Sequence, residues 1–357
     1  MEISITTAET SRIREVDFEH LPFGKHFSDH MFVADYTDGE WHDLRIEPFH
    51  YFQMHPATMA IHYGQSIFEG MKATKMLDGS PVLFRPEEHA RRLNFSAARM
   101  CMPHFPEELF VEALQKLVEV DQAWIPQEEG SALYIRPVMM ATDEFVGVRP
   151  SQSYRFFIIT GPVGPYYPKP VRLIAETKYV RAARGGTGEA KAAGNYGGAM
   201  LPTKIAQEKG FDQLLWLDAR EFKYIQECGT MNVFFVIDGK VITPPLYGTI
   251  LKGITRESAM QILEDAGYEV DEYPLTIDEV VDAYRRGALQ EAFGAGTAAV
   301  VSHVSEIAYK DLVMKLPPIS ERKVGDLVKS TINGIRSGRI PDTRGWLVSA
   351  VPEAVEA

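Results

Sequence analysis

Apolar residues along the chain fall into short runs and helical stripes separated by glycine, proline and charged clusters. No apolar run reaches the ~18 residues a membrane span needs. In SPVLFRPEEHARRLNFSAARMCM (80–102) a strand-like run gives way to Ala90, Leu93, Ala97, Met100 and Cys101 at helical spacing. Pro86, followed by Glu87 and Glu88, marks the first turn of that helix. SALYIRPVMMA (131–141) and YRFFIIT (154–160) read as buried strands. VRLIAETKYVRAA (171–183) and FDQLLWLDA (211–219) are also strand-like, and LPTKIAQEKG (201–210) ends a helix capped by Gly210. GTMNVFFVIDGKVITPP (229–245) sets two apolar runs around Asp238-Gly239, a hairpin signal. Helices are predicted over Arg256–Ala266 and around Thr276–Arg286.

The pattern breaks twice. GPVGPYYPKP (161–170) holds four prolines and two glycines, which neither a helix nor a central strand tolerates, and it reads as an interdomain linker. The predicted organisation is a smaller domain over 1–160, a linker over 161–174 and a larger domain over 175–357. The second break, GEAKAAGNYGGAM (188–200), sets Lys191 among small residues just before Asn195 and Tyr196. Gly194, Gly197 and Gly198 each cost about 1 kcal/mol against alanine in a helix interior, which predicts a loop suited to close approach.

At 357 residues, with 45% hydrophobic content, the chain can fill two cores at roughly 150 residues per domain. Its 49 acidic and 37 basic residues leave a net charge of −12, a field that repels phosphate backbones and argues against nucleic-acid and anionic-membrane partners. Only Cys101 and Cys228 are present, far apart in apolar contexts, which predicts buried thiols in a reducing compartment. The N-terminal stretch lacks a signal pattern, and a cytoplasmic protein is expected.

Four further features have ordinary structural readings when taken singly. LKGITRESAMQILEDAG begins a helix whose first N–H groups, at Ile254 and Thr255, can be a plain N-terminus or an anion site. FGAGTA (293–298) is a glycine turn in which Thr297 can donate to an oxyanion. Glu227 ends an apolar strand, and Arg92 lies on the polar side of its helix. With Lys191 they ask for one ligand: an imine-forming amine, a carboxylate for a ring nitrogen and donors for a phosphate describe pyridoxal 5'-phosphate.

On these residues the chain resembles the branched-chain amino acid aminotransferases of the class IV, fold-type IV pyridoxal-phosphate family. The likeness runs through FGKHFSDHMF, YGQSIFEGMKA, LYIRPV, GPVGPYYP, KAAGNYG, ECGTMN, TPPLYGTILKGITR and FGAGTA, in that order. It implies an α/β (α+β) two-domain fold of the D-amino acid aminotransferase kind. Lys191 would carry the cofactor and later move a proton at the substrate α-carbon. Tyr196 would bond the cofactor's phenolic oxygen and Glu227 its ring nitrogen. Arg92, the N–H groups of Ile254 and Thr255, and Thr297 would hold its phosphate.

For the substrate, the resemblance implies apolar walls from Phe23, Phe68, Tyr166 and Val148, and polar contacts from Tyr63, Tyr134 and Arg136. Thr230 and Ala298 would take the α-carboxylate through backbone N–H groups. It also implies a homodimer in which residues of the first half reach the neighbouring subunit's site. The implied activity is ping-pong transamination of leucine, isoleucine and valine with 2-oxoglutarate, giving glutamate and branched 2-oxo acids, with no metal. Related class IV enzymes, a D-amino acid aminotransferase or an aminodeoxychorismate lyase, share the lysine and the glutamate, and a non-catalytic pyridoxal-phosphate-binding protein is the reading outside catalysis. Ala299 and Ser302 stand where mammalian relatives have a redox-sensitive Cys-x-x-Cys, so no thiol switch is expected there.

Overall fold

The computed structural model describes residues 1–128, 130–164 and 169–351. Its contacts divide the chain into two compact units: residues 1–166 with 190–193 and 333–357, and residues 167–189 with 194–332. No helix among the described residues is long and apolar enough to cross a membrane.

The first unit is built on a sheet ordered Ser4–Ile5, Glu40–Pro48, His30–Thr37, Tyr154–Val163, Ala132–Ala141, Met71–Lys75, Pro81–Phe84 and Leu347–Ser349, with Ser66–Phe68 also paired to Ala132–Ala141. Every pairing is antiparallel except that of Ser4–Ile5. Helix Pro86–Arg99 packs on helix Glu107–Val120, which covers the strand His30–Thr37. Phe32, Phe105, Phe110 and Phe156 are fully buried in this core, each worth roughly 1.5–3 kcal/mol of transfer free energy. Trp41 and Trp124 bury their rings there and still satisfy their N–H groups, on the His104 carbonyl and the Asp29 carboxylate, both at 2.8 Å.

The second unit's sheet runs Ile225–Cys228, Gln213–Leu217, Val171–Ala175, Val300–Tyr309, Leu289–Gly296, Asn232–Ile237, Lys240–Thr243 and Val270–Glu272. Helices Ile254–Asp265 and Ile277–Arg285 pack on its strand Leu289–Gly296. The expected hairpin forms about Asp238-Gly239, both at positive φ. Thr276 and Glu279 form a reciprocal capping box at the start of Ile277–Arg285.

Four expectations need correction. The glycine stretch is not all loop, because Ala193–Gly198 is a short helix. The glycine penalty is a few kcal/mol at most, and Asn195 offsets part of it by bonding Thr187 through both ends of its amide, at 2.6 and 2.8 Å. The expected linker begins later than Gly161, since the strand continues to Val163. The neighbouring strand His30–Thr37 pairs only as far as Ile159, so Pro162 withdraws no needed donor. Gly161 also lies so close to the His26 carbonyl that a Cβ would come within 2.1 Å of it. The strand at Val171 stops at Ala175, where the Glu176 carboxylate turns the chain by accepting the N–H groups of Lys178 and Tyr179. Cys228 is buried as expected, but Cys101 is exposed on the turn after helix Pro86–Arg99, at φ 53°.

The partition also differs from a single cut near residue 160. Residues 333–357 group with the first unit, where Leu347–Ser349 extends the sheet along Pro81–Phe84.

One buried acid anchors the last helix. Glu291, 4% exposed, accepts the N–H groups of Lys323, Val324 and Gly325 at 2.6, 2.9 and 3.0 Å, at the start of Val324–Arg336. A carboxylate there satisfies open donors and opposes the helix dipole. Glu291→Ala is expected to lower the unfolding free energy by about 3 kcal/mol, read by urea denaturation. An unchanged midpoint contradicts this role.

Candidate active site

In the first unit the site grows from the docking of a four-residue segment, 190–193, onto the sheet. Ala192 bridges Ile67, the Phe68 N–H donates to the Lys191 carbonyl at 3.0 Å, and the Lys191 N–H donates to Ser96 Oγ at 2.9 Å. Ala190 and Ala192 are buried in this contact, which larger side chains would hold open. Lys191 itself is half-buried, with Nζ 5.0 Å from the Phe68 ring centre.

The same ring stacks under the Arg136 guanidinium at 4.6 Å. Arg136 and Tyr134 point to one face of strand Ala132–Ala141, as period-two alternation requires. Arg136 donates to the Tyr134 hydroxyl at 2.8 Å, while its own Nε is buried with no partner among the described residues. Phe23 meets the Tyr134 ring edge-on at 4.9 Å. Phe23, Phe68, Tyr134, Arg136 and Lys191 therefore assemble as one group.

Arg92 lies on helix Pro86–Arg99 on the same side as Ser96, but it is not the solvated charge its sequence context suggests. It is 9% exposed, and both its Nε and Nη2 donate to the Glu69 carboxylate, at 2.7 and 2.8 Å.

Tyr63 and Val148 are on the surface. Val148 is 90% exposed and Tyr63 38% exposed, on segments joined by the Thr58–Glu144 bridge. Tyr166 lies outside the described residues.

In the second unit, strand pairing collects the expected residues at one sheet end. Asn232 is opposite Ala295, so the turns just beyond them, carrying Thr230 and Thr297–Ala298, lie side by side. Gly294 is needed here, because a Cβ would fall 2.6 Å from Met231 Cε and 2.8 Å from Cys228 Sγ. Val300, closing the second turn, has φ 61°, a strained conformation for a β-branched residue. Asn232 Nδ2 holds the Leu251 carbonyl at 2.9 Å, and the Leu251 N–H donates to Glu227 at 2.8 Å. This fixes the loop leading to Gly253 and the helix Ile254–Asp265, whose first turn has no side-chain cap among the described residues. The N–H groups of Ile254 and Thr255 lie at this helix start. Tyr196 sits half-buried on helix Ala193–Gly198.

Glu227 is 3% exposed and faces Arg181 at 3.3 Å. Arg181 also donates to the carbonyls of Gly188 and Thr249. Cys228, beside Glu227, is pushed up by burial and by that carboxylate, so it stays an inert thiol. Sequence reading missed Arg181, Glu69 and His89. Arg181 gives no local signal, whereas His89, Arg92 and Ser96 at i, i+3 and i+7 on a helix could have been read as one polar stripe.

The family described as Amino-transferase class IV matches residues 66–307. A Bacillus subtilis protein named branched-chain-amino-acid aminotransferase 2 is 47% identical over 347 residues, 95% of each chain. Among solved structures, a branched-chain aminotransferase from Thermoproteus uzoniensis with norvaline is similar at TM-score 0.74 and 26% identity, covering 90% of this chain and 99% of that one. A branched-chain amino acid aminotransferase from T.th., complexed with N-(5'-phosphopyridoxyl)-L-glutamate, is similar at TM-score 0.71 and 28% identity, over 89% of this chain and 98% of that one.

The Arg181–Glu227 pair generates a stability prediction. Arg181→Met removes the guanidinium that faces the buried Glu227 carboxylate and is expected to cost about 3–5 kcal/mol in urea denaturation. Adding Glu227→Gln should return part of that loss, and strict additivity of the two substitutions would refute the pairing.

Proposed function

The chain belongs to the class IV aminotransferases, and we infer that it transfers the amino group of leucine, isoleucine and valine to 2-oxoglutarate, with pyridoxal 5'-phosphate as cofactor. The observation that carries this reading is the Phe68 ring with Lys191 Nζ on it and Arg136 stacked against it. The ring offers an aliphatic side chain an apolar surface, while Arg136 and the Tyr134 hydroxyl offer a second carboxylate charge and hydrogen bonds. One set of side chains can thereby serve both partners of a ping-pong exchange.

The donor sets fit the cofactor's functional groups. Arg92, the N–H groups of Ile254 and Thr255, and the Thr297 hydroxyl suit its phosphate, and Tyr196 suits its phenolic oxygen. Glu227, kept company by Arg181, suits a protonated ring nitrogen. When bound, pyridoxal phosphate supplies an aldehyde that links to an amine and a ring that accepts an electron pair.

Lys191 would act at two points: its amine would hold the cofactor and would move a proton at the substrate α-carbon. The pinned backbone on both sides of its Cα leaves only side-chain torsions for that movement. Glu227 keeps the proton on the ring nitrogen. Thr230 and Ala298 present backbone N–H groups to the substrate α-carboxylate.

We further assign the protein to homodimers in the cytoplasm. Val148, at 90% exposure, cannot wall a pocket of its own subunit as it stands, and with Tyr63 it suits a neighbouring copy's site. Both cysteines are free, which suits a reducing compartment.

Addition of L-leucine alone should move an absorption band from about 400 nm to about 330 nm, and 2-oxoglutarate should restore it. A bound cofactor that ignores leucine defeats the assignment. Glu227→Gln should retain cofactor and lose most turnover; full activity refutes its role. Val148→Asp should shift sedimentation toward monomer, and an unchanged dimer would place Val148 outside the interface.

A further inference from the structure

Glu69 belongs to no set assigned above, yet it is the most completely buried acid next to them, at 0% exposure. It follows Phe68 directly, and its own N–H is tied to the Pro137 carbonyl at 2.8 Å. Its carboxylate takes two parallel bonds from Arg92 and a third from His89 Nδ1, at 2.7 Å. Burial alone would raise its pKa, but Arg92 and then His89 outweigh that and hold it well below the ordinary carboxylate range. His89, 2% exposed, is pushed down by burial and stays neutral, so Nδ1–H donates and the tautomer is set.

This arrangement constrains Arg92 in two ways. The fork through Nε and Nη2 fixes the guanidinium plane and leaves Nη1 outside the fork. The pair also sums to no net charge, so Arg92 offers an anion oriented N–H groups more than an unshared cation. His89, Arg92 and Ser96 share one side of the helix, and Ser96 receives the Lys191 N–H, so the same helix face sets both the guanidinium and the lysine backbone.

We propose that Glu69, backed by His89, is the positioning residue that aims Arg92 at the cofactor phosphate. This rests on the pyridoxal-phosphate reading of the site. The alternative is that Glu69 is only a counter-ion that lets Arg92 be buried.

The two roles separate in the binding of pyridoxal 5'-phosphate and of pyridoxal, which lacks the phosphate, to cofactor-stripped protein. Glu69→Gln is expected to weaken pyridoxal phosphate binding about 10- to 100-fold while leaving pyridoxal binding unchanged. In an Arg92→Ala background the same substitution should change pyridoxal phosphate binding less than about twofold, since its effect passes through Arg92. His89→Leu, a milder change, should weaken pyridoxal phosphate binding about threefold with pyridoxal again unaffected. Equal loss of both ligands together with a lowered Tm, or no loss of either, overturns the positioning role. Wild-type protein that binds neither ligand defeats the cofactor reading itself, an outcome distinct from failure of Glu69.

Discussion

The whole site depends on a backbone interaction. Lys191 is held in place because residues 190–193, part of the first unit, are bonded to Phe68 and Ser96 and bridged to Ile67. Alanines flank it because anything larger would hold the backbone off the sheet. Phe68, one residue before Glu69, joins this anchor to the Arg136–Tyr134 group and to the buried ion pair. Sterics at two small residues thus govern where the lysine amine can stand.

The second unit solves a different problem, that of gathering donors from distant parts of the sequence. Sheet register does most of this, because the Asn232–Ala295 pairing places two turns together whatever their own sequences prefer. Glycine at 294 makes the pairing close enough, and Asn232 ties in the loop before helix Ile254–Asp265. The cost is local: Val300 sits at positive φ, and Glu227 is buried with a guanidinium beside it.

Periodic features were legible from sequence: the helix at Pro86, the hairpin at Asp238-Gly239 and the helix start at Ile254. Each carries its signal within a few residues. Glu69, His89 and Arg181 were not legible, because a buried ion pair and a solvated charge have the same letters, and the partner of Arg181 lies far along the chain. Local propensity misjudged Ala193–Gly198, where the Asn195 side chain favours a helix that glycine disfavours. Val148 and Tyr63 could be singled out by likeness alone, for their exposure says nothing of a pocket within one chain.

The strand Leu347–Ser349 has a consequence for biosynthesis. It completes the edge of a sheet whose other strands all precede residue 164, and it does so after the second unit's last residue, 332. Chains leave the ribosome N-terminus first. The half of the protein made first is therefore the half finished last: Pro81–Phe84 emerges early and waits for Leu347–Ser349 to supply its neighbour. A nascent chain stalled short of Leu347 would carry a complete second sheet and a first sheet whose Pro81–Phe84 strand lacks its partner, where another strand could pair in its place.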